Sequence, residues 1–308
     1  MDRRRFLLTS LAGVLAGPLT AEAQYAGKVY RIAFLGSTSP SGYASQMEAF
    51  RGGLRDLGYV EGQNFVIEFR WAEGSYERLP ELAAELVRSK PDVLVTHGSA
   101  GALAAKRATD TIPIVMGVVG EAVEIGAVKG VARPGRNVTG SSFFVPELNA
   151  KRLEILKEAL PRLSRVGVLL KRGNAVNAAV LRTMEHTARS LKLELQPVEA
   201  RDPADLEGAV SAVVKGQAGA LVVQDDPVLL ALAAQIADLA RRNQLPTIGF
   251  VEYAKAGGLL AFGVNFPDLW RRAAGFVDKI LKGAKPADLP IEQPTKFELV
   301  INLKSSAT

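Results

Sequence analysis

The sequence predicts an α/β protein of two similar lobes, each built on a parallel sheet, and three observations carry that prediction. From Tyr30 onward, short runs rich in Val, Ile and Leu alternate with helix-period segments, the pattern of βαβ units. The second half repeats the rhythm of the first: Arg31 to Arg165 spans 134 positions, Val93 to Leu221 spans 128 and Ile114 to Thr247 spans 133. The chain has 308 residues, 48% of them hydrophobic, which is enough for two cores. No residue-level identity accompanies the repeat, so a single eight-stranded barrel is the competing architecture on pattern alone.

The strand candidates of the first half are Arg31–Gly36, Phe65–Trp71, Asp92–Thr96 and Pro113–Val118. Those of the second half are Arg165–Leu170, Leu193–Val198, Ala220–Val223 and Pro246–Phe250. Between them, Tyr76, Leu79, Leu82, Ala83, Leu86 and Val87 make one apolar helix face behind Ser75 as N-cap, with Glu77, Glu81 and Glu85 opposite. Residues from Val228 to Ala240 form one such helix in the second half, and Pro91 and Pro246 stop helices before their strands.

A ninth strand, Gly258–Val264, leads to a helix over Pro267–Leu281, a polar stretch Gly283–Pro294 and a last strand Phe297–Asn302. In a two-lobed chain these pieces recross between lobes. With Ser141–Pro146 they give three crossings, near 143, 264 and 290. The expected division is 28–143 plus 265–290 in one lobe and 144–264 plus 291–308 in the other.

The N-terminus reads as an export signal: Arg3-Arg4-Arg5, an apolar run Leu7–Leu19 and an Ala21-Glu22-Ala23 cleavage site. The run is too short to span a bilayer, which takes ~20 residues, so no membrane anchor is expected. Arg3-Arg4 before Phe6-Leu7 resembles a twin-arginine signal, although Asp2 and Leu8 are unusual flanks; the general secretory route is the alternative. The chain has no cysteine, hence neither a lipid-attachment site nor a disulfide, and a free periplasmic monomer is expected. Removal of residues 1–23 leaves 35 basic and 30 acidic side chains, mixed in sign along the chain. Nucleic acid is therefore not an expected partner.

Absent motifs narrow the chemistry. With two histidines, His97 and His186, and no cysteine, a zinc site of the usual ligands is not expected. No phosphate-binding P-loop, dinucleotide fingerprint or nucleophile elbow occurs, so neither a cofactor nor catalysis is expected. An exported enzyme would have to draw on Asp225, Glu121 and His97.

Polar residues cluster instead at the C-terminal ends of predicted strands, where open α/β sheets bind ligands. Ser37 and Thr38 follow the first strand; Thr96 ends the third, and His97, Gly98 and Ser99 open a helix whose N-terminus suits a carboxylate. Ser99 reads as that helix's cap, with or without ligand contact, and His97 as a structural histidine. In the second half the same positions carry Lys171, Arg172 and Asn174, then Asp225 and Asp226, the latter a natural N-cap before Pro227. Asp225 is the choice to meet a ligand cation, and Tyr253 supplies either a ring face or core packing. Opposed anion and cation receptors fit a zwitterion such as an amino acid. Ser99→Ala and Asp225→Ala are each expected to weaken binding without unfolding the protein.

The stretches Tyr59–Asn64, Arg78–Ala83, Ala104–Thr109, Ala132–Gly140 and Gln293–Leu299 resemble the ABC-transporter substrate-binding protein family that includes the tryptophan-binding member. The resemblance runs from about residue 29 to 304. It implies a periplasmic-binding-protein type I fold, two Rossmann-like lobes on a three-stranded hinge, and delivery of a small solute to a permease with its ATPase. A ligand-presenting sensor subunit is the alternative. By position, the resemblance implies a cleft lined by Ser37, Thr38, Thr96, Gly98, Ser99, Asn174 and Asn177, joined by Asp225 and Tyr253. Two departures sit at the cleft edge: Gly120-Glu121-Ala122-Val123 stands where relatives commonly read Gly-Asp-Pro-Val, and Lys171-Arg172 where many have Asn-Pro.

Overall fold

A computed structural model describes residues 28–303, so the export signal read at 1–23 lies outside the described residues. Two separate sheets form, which excludes the single barrel. The first has the order β2-β1-β3-β4-β5, all parallel: β1 Tyr30–Gly36, β2 Phe65–Trp71, β3 Val93–Thr96, β4 Ile114–Gly120 and β5 Val138–Phe143. The inner strands β3 and β4 are buried at every position, as strands covered on both faces must be, and their sequences are accordingly apolar without alternation.

The second sheet repeats the order as β7-β6-β8-β9-β10, with β11 added antiparallel on β10. Its strands are β6 Arg165–Lys171, β7 Glu194–Ala200, β8 Ala220–Val223, β9 Thr247–Gly249, β10 Leu260–Gly263 and β11 Glu298–Ile301. Pro197 sits in β7, an edge strand, where its missing N–H costs no ladder bond. The sequence reading gave each half four strands and treated Ser141–Pro146 as a crossing alone. The structure adds β5 just before that crossing, as the partner of β10 in the repeat. Its Val-Thr-Gly-Ser-Ser-Phe sequence is too polar for the apolar-run criterion, yet every residue is buried.

The helices are α1 Ala44–Asp56, α2 Leu79–Arg88, α3 Gly98–Ala108, α4 Val145–Ala159 and α5 Asn177–Leu191, followed by α6 Leu206–Lys215, α7 Pro227–Ala231, α8 Ala233–Arg242, α9 Val251–Lys255 and α10 Phe266–Leu281. Two local readings are corrected. Ser75 does not cap α2: its hydroxyl donates to Glu77 and a short 3-10 turn, Tyr76–Arg78, intervenes. The helix expected over 228–240 breaks at Leu232, so that α7 faces the opposite lobe while α8 buries Ile236 and Leu239 in its own. A Cβ built on Gly42 of the first lobe lies 2.7 Å from the Ala231 Cβ.

Late in the chain, α10 returns to the first sheet and packs against α1 and β4. Trp270, fully buried, donates its indole N–H to Tyr43 Oη at 3.0 Å and meets Phe34, Phe50 and Tyr43 ring to ring. Burying an aromatic of this size stabilises a fold by about 3–5 kcal/mol against truncation. In both sheets the strand order reverses beside the first strand of the lobe, so the loops after β1 and β3 oppose those after β6 and β8.

Candidate functional site

A cavity lies between the lobes at those switch points. Its centre leaves about 30 Å³ for the centres of water-sized molecules, within about 400 Å³ of open space. The first lobe supplies Tyr43, Gly98, Ser99, Val118 and Gly120. The second supplies Asn174, Val176, Asp225, Asp226, Pro227 and Leu230, and residues at the crossings, Phe143, Val145 and Phe266, close the rear.

The first-lobe wall is set by α3. Its N-cap is His97, so Ser99 lies inside the first turn and does not cap the helix; its hydroxyl donates to Gly120 O at 3.3 Å instead. First-turn N–H groups of a helix lack intrahelical acceptors, and those of Gly98 and Ser99 border the cavity, which makes this end a receptor for negative charge. His97 lies beneath: its Nε2 accepts from Ser37 N at 3.1 Å and its ring stacks on Tyr43 at 4.0 Å. Complete burial pushes its pKa down to about 3, so it is neutral and carries its proton on Nδ1.

The second-lobe wall carries two carboxylates with different duties. Asp225 accepts from Arg152 through Nη1 at 2.6 Å and Nη2 at 2.9 Å and from Asn149 Nδ2 at 3.3 Å, a bidentate pair with both side chains fully buried. Arg152 also donates to Phe262 O at 2.9 Å. Asp226 caps α7, accepting from Val228 N at 2.7 Å and Leu229 N at 3.3 Å, as the sequence led one to expect. Its other oxygen accepts from Asn174 Nδ2 at 2.8 Å and, from the opposite lobe, Tyr76 Oη at 2.5 Å. Burial raises the Asp226 pKa, offset by the Tyr76 hydrogen bond and by Lys171, whose Nζ lies 4.4 Å over the Tyr76 ring.

The lobes are closed on one another. Tyr76 to Asp226 is one bond across the mouth and Arg182 Nη2 to Glu124 Oε1, 2.9 Å, is another. Gly98 touches Pro227: a Cβ built on Gly98 would lie 2.7 Å from Pro227 Cγ.

Of the nine residues expected at the cleft, Gly98, Ser99, Asn174 and Asp225 line the cavity. The other five are placed elsewhere. Ser37 and Thr38 are buried behind His97 and in the adjoining loop, and Thr96 spends its hydroxyl on Leu35 O at 3.0 Å. Asn177 links Lys171 O to Gln224 Nε2, and Tyr253 is buried against Gly249 and Gly258 in the second-lobe core. Of the three enzyme candidates only Asp225 borders the cavity; His97 lies beneath Tyr43 and Glu121 at a crossing.

Sequence reasoning missed Arg152 and Asn149, although a signal existed: Val145, Leu148, Asn149, Arg152, Leu153 and Leu156 all fall on one helical face. A polar pair on an apolar stripe is a buried pair. It missed Tyr43, Phe143 and Phe266 because each sits at a helix start or crossing with no periodic partner to reveal its direction, and it read Tyr76 as part of the apolar face of α2, whereas the 3-10 turn before that helix sends its hydroxyl across to Asp226. Among the described residues no group of three or more His, Asp or Glu side chains could hold a metal ion, and no helix is long and apolar enough to cross a membrane.

Comparison with known proteins agrees with this geometry. The family described as "ABC transporter substrate binding protein" matches residues 32–308. A tyrosine-binding protein of Clostridioides difficile is 27% identical over 250 residues, covering 81% of this chain and 72% of that protein. Among solved structures, a conserved domain protein from Vibrio cholerae superposes with TM-score 0.84 at 26% identity, covering 91% of this chain and 94% of that one. A Streptococcus pneumonia ABC domain in complex with L-Trp superposes with TM-score 0.82 at 22% identity, with the same coverage. The fold is the periplasmic-binding-protein type I fold, and the proteins of this family bind solutes and are not enzymes. With two lobes closed over a lined cavity and a family profile spanning nearly all of it, the chain belongs to the ABC transporter substrate-binding proteins.

Proposed function

We propose that this solute-binding protein captures an amino acid with an aromatic or bulky apolar side chain. The observation that carries the reading is the polarity of the cavity. Free N–H groups and the Ser99 hydroxyl stand on one wall, carboxylates on the other, and Tyr43, Val118, Phe143, Val176, Leu230 and Phe266 make up much of the rest. A carboxylate at the start of α3 and an ammonium drawn by the charge of Asp226, whose acceptor positions are already filled, and bonded at Asp225 satisfy both ends. Asp225 is neutralised by Arg152 and keeps one acceptor position, so it takes a hydrogen bond more readily than a charge. The relatives' ligands, tyrosine and L-Trp, support the same class.

In this reading the protein works as a periplasmic monomer, exported by its first 23 residues, and hands its ligand to an ABC permease and ATPase. Its lobe boundaries are those expected from the three crossings. Thermal melting against a panel of the common amino acids tests the ligand class. L-Trp or L-Tyr at a hundredfold excess over Kd adds ~2.7 kcal/mol of stability, a rise of roughly 5 °C for a protein of this size. A flat response to every amino acid defeats the reading. For the ligand that responds, the Ser99 hydroxyl turns from Gly120 O to the ligand carboxylate, and Ser99→Ala is expected to weaken binding ~10- to ~150-fold by calorimetry, since a hydrogen bond to a charged group is worth about 1.5–3 kcal/mol.

A further inference from the structure

Two crossings between the lobes are built alike. Where β5 gives way to α4, the first helical residue, Val145, donates its backbone N–H to Glu121 Oε1 at 3.0 Å; Glu121 follows β4, the neighbouring strand of the opposite lobe from α4. Where β10 gives way to α10, the first helical residue, Phe266, donates its N–H to Glu252 Oε1 at 3.3 Å; Glu252 follows β9, again the neighbouring strand and again in the lobe that α10 leaves. In each case a glutamate of one lobe holds an N–H that the helix itself cannot satisfy, on a residue whose side chain lines the cavity. The Glu121 backbone sits at φ 51°, a left-handed conformation uncommon for a side-chain-bearing residue, and this turn is what places the carboxylate at Val145.

We propose that Glu121 and Glu252 are a matched pair of hinge straps, positioning residues that hold both crossings in the closed arrangement as neutral carboxyls and loosen it when they ionise. A neutral carboxyl still accepts the N–H through its C=O oxygen, whereas a carboxylate held in the hinge loses hydration. Glu252 Oε2 is buried without a hydrogen-bond partner among the described residues, the kind of oxygen that does not tolerate full charge. Glu121 is faced by Glu147 of α4 and by Glu124, both acidic; Glu252 is faced by Lys255 on its own helix, by Asp225, which Arg152 neutralises, and by the uncharged Tyr43.

The N–H bonds by themselves favour the ionised carboxyls, but burial, with Glu147 beside Glu121, outweighs them and raises both pKa values, each from 4.5 to about 7. Opening a hinge displaces donor from acceptor and admits water, returning each carboxyl toward its ordinary range. Closing therefore takes up protons. The closed form is most favoured below about pH 4.5, loses ground steadily as pH rises from there through 7 and changes little above 8.

The absence of cysteine makes a direct test clean. Spin labels on Arg78→Cys and Ala178→Cys, exposed positions on the two lobes, report the separation across the cleft in ligand-free protein. A longer mean separation at pH 8 than at pH 5 is expected, with the difference abolished in Glu121→Gln/Glu252→Gln and halved in either single variant. No difference in the labelled parent, or a full difference in the double variant, overturns the proposal. Should the double variant fail to fold, the single variants decide. Because no ligand is present, the outcome is independent of which solute the cavity takes.

Discussion

Arg152→Ala is expected to lower the unfolding free energy by about 3–5 kcal/mol, because it strands the Asp225 carboxylate in the core with one long hydrogen bond from Asn149. The guanidinium has no route to water: its side chain is 0% exposed and its remaining donors end on Asn149 Oδ1 and the carbonyls of Val223 and Phe262. The penalty belongs to the unpaired charge more than to the lost attraction. Arg152→Met combined with Asp225→Leu, which removes both charges at similar volume, should therefore recover most of the loss. Urea unfolding midpoints of the two variants separate the possibilities, and a single variant within 1 kcal/mol of the parent would show the pair to be dispensable. The same logic changes the expectation for Asp225→Ala. From sequence it is a binding variant that leaves the fold intact; with Arg152 in view it strands a buried cation.

Gly98→Ala should separate stability from closure in one substitution. At φ 67° any side-chain-bearing residue is strained, about 1–2 kcal/mol, whether the lobes are open or closed. The added methyl also meets Pro227 across the cleft at 2.7 Å, and that collision exists only in the closed form. Overpacking of this kind costs about 1–3 kcal/mol, so ligand affinity should fall ~5- to ~150-fold beyond any change in melting. Calorimetry on protein shown to be folded makes the measurement. Unchanged affinity would mean that Gly98 and Pro227 do not meet when ligand is bound.

How much of this was legible beforehand varies by element. The inner strands were readable because burial on both faces writes an unbroken apolar run, as in Ile114–Gly120. The fifth strand was not, since Thr139, Ser141 and Ser142 are buried beside the crossing where Leu289 and Glu292 return, and the Thr139 hydroxyl is satisfied by Leu289 O at 2.7 Å. Ser99, Asn174 and Asp225 were found by position at strand ends, a rule about topology more than chemistry. Thr96 and Ser37 obey the same rule and face inward, because a residue at a strand end is as free to bond a neighbouring loop as a ligand. Tyr76 lies far in sequence from Asp226, and no local pattern announces a bond that forms only when two lobes meet.

The return of α10 to the first sheet bears on how the chain acquires its shape. Phe34 and Phe50 wait for Trp270, and β10 waits for β11. Neither half can finish from its own contiguous segment, so a nascent chain that stops short of residue 266 exposes an aromatic core with nothing to cover it. Acquisition of structure is thus an event of the completed polypeptide, governed by contacts more than 200 positions apart such as Tyr43 with Trp270, and slow for that reason.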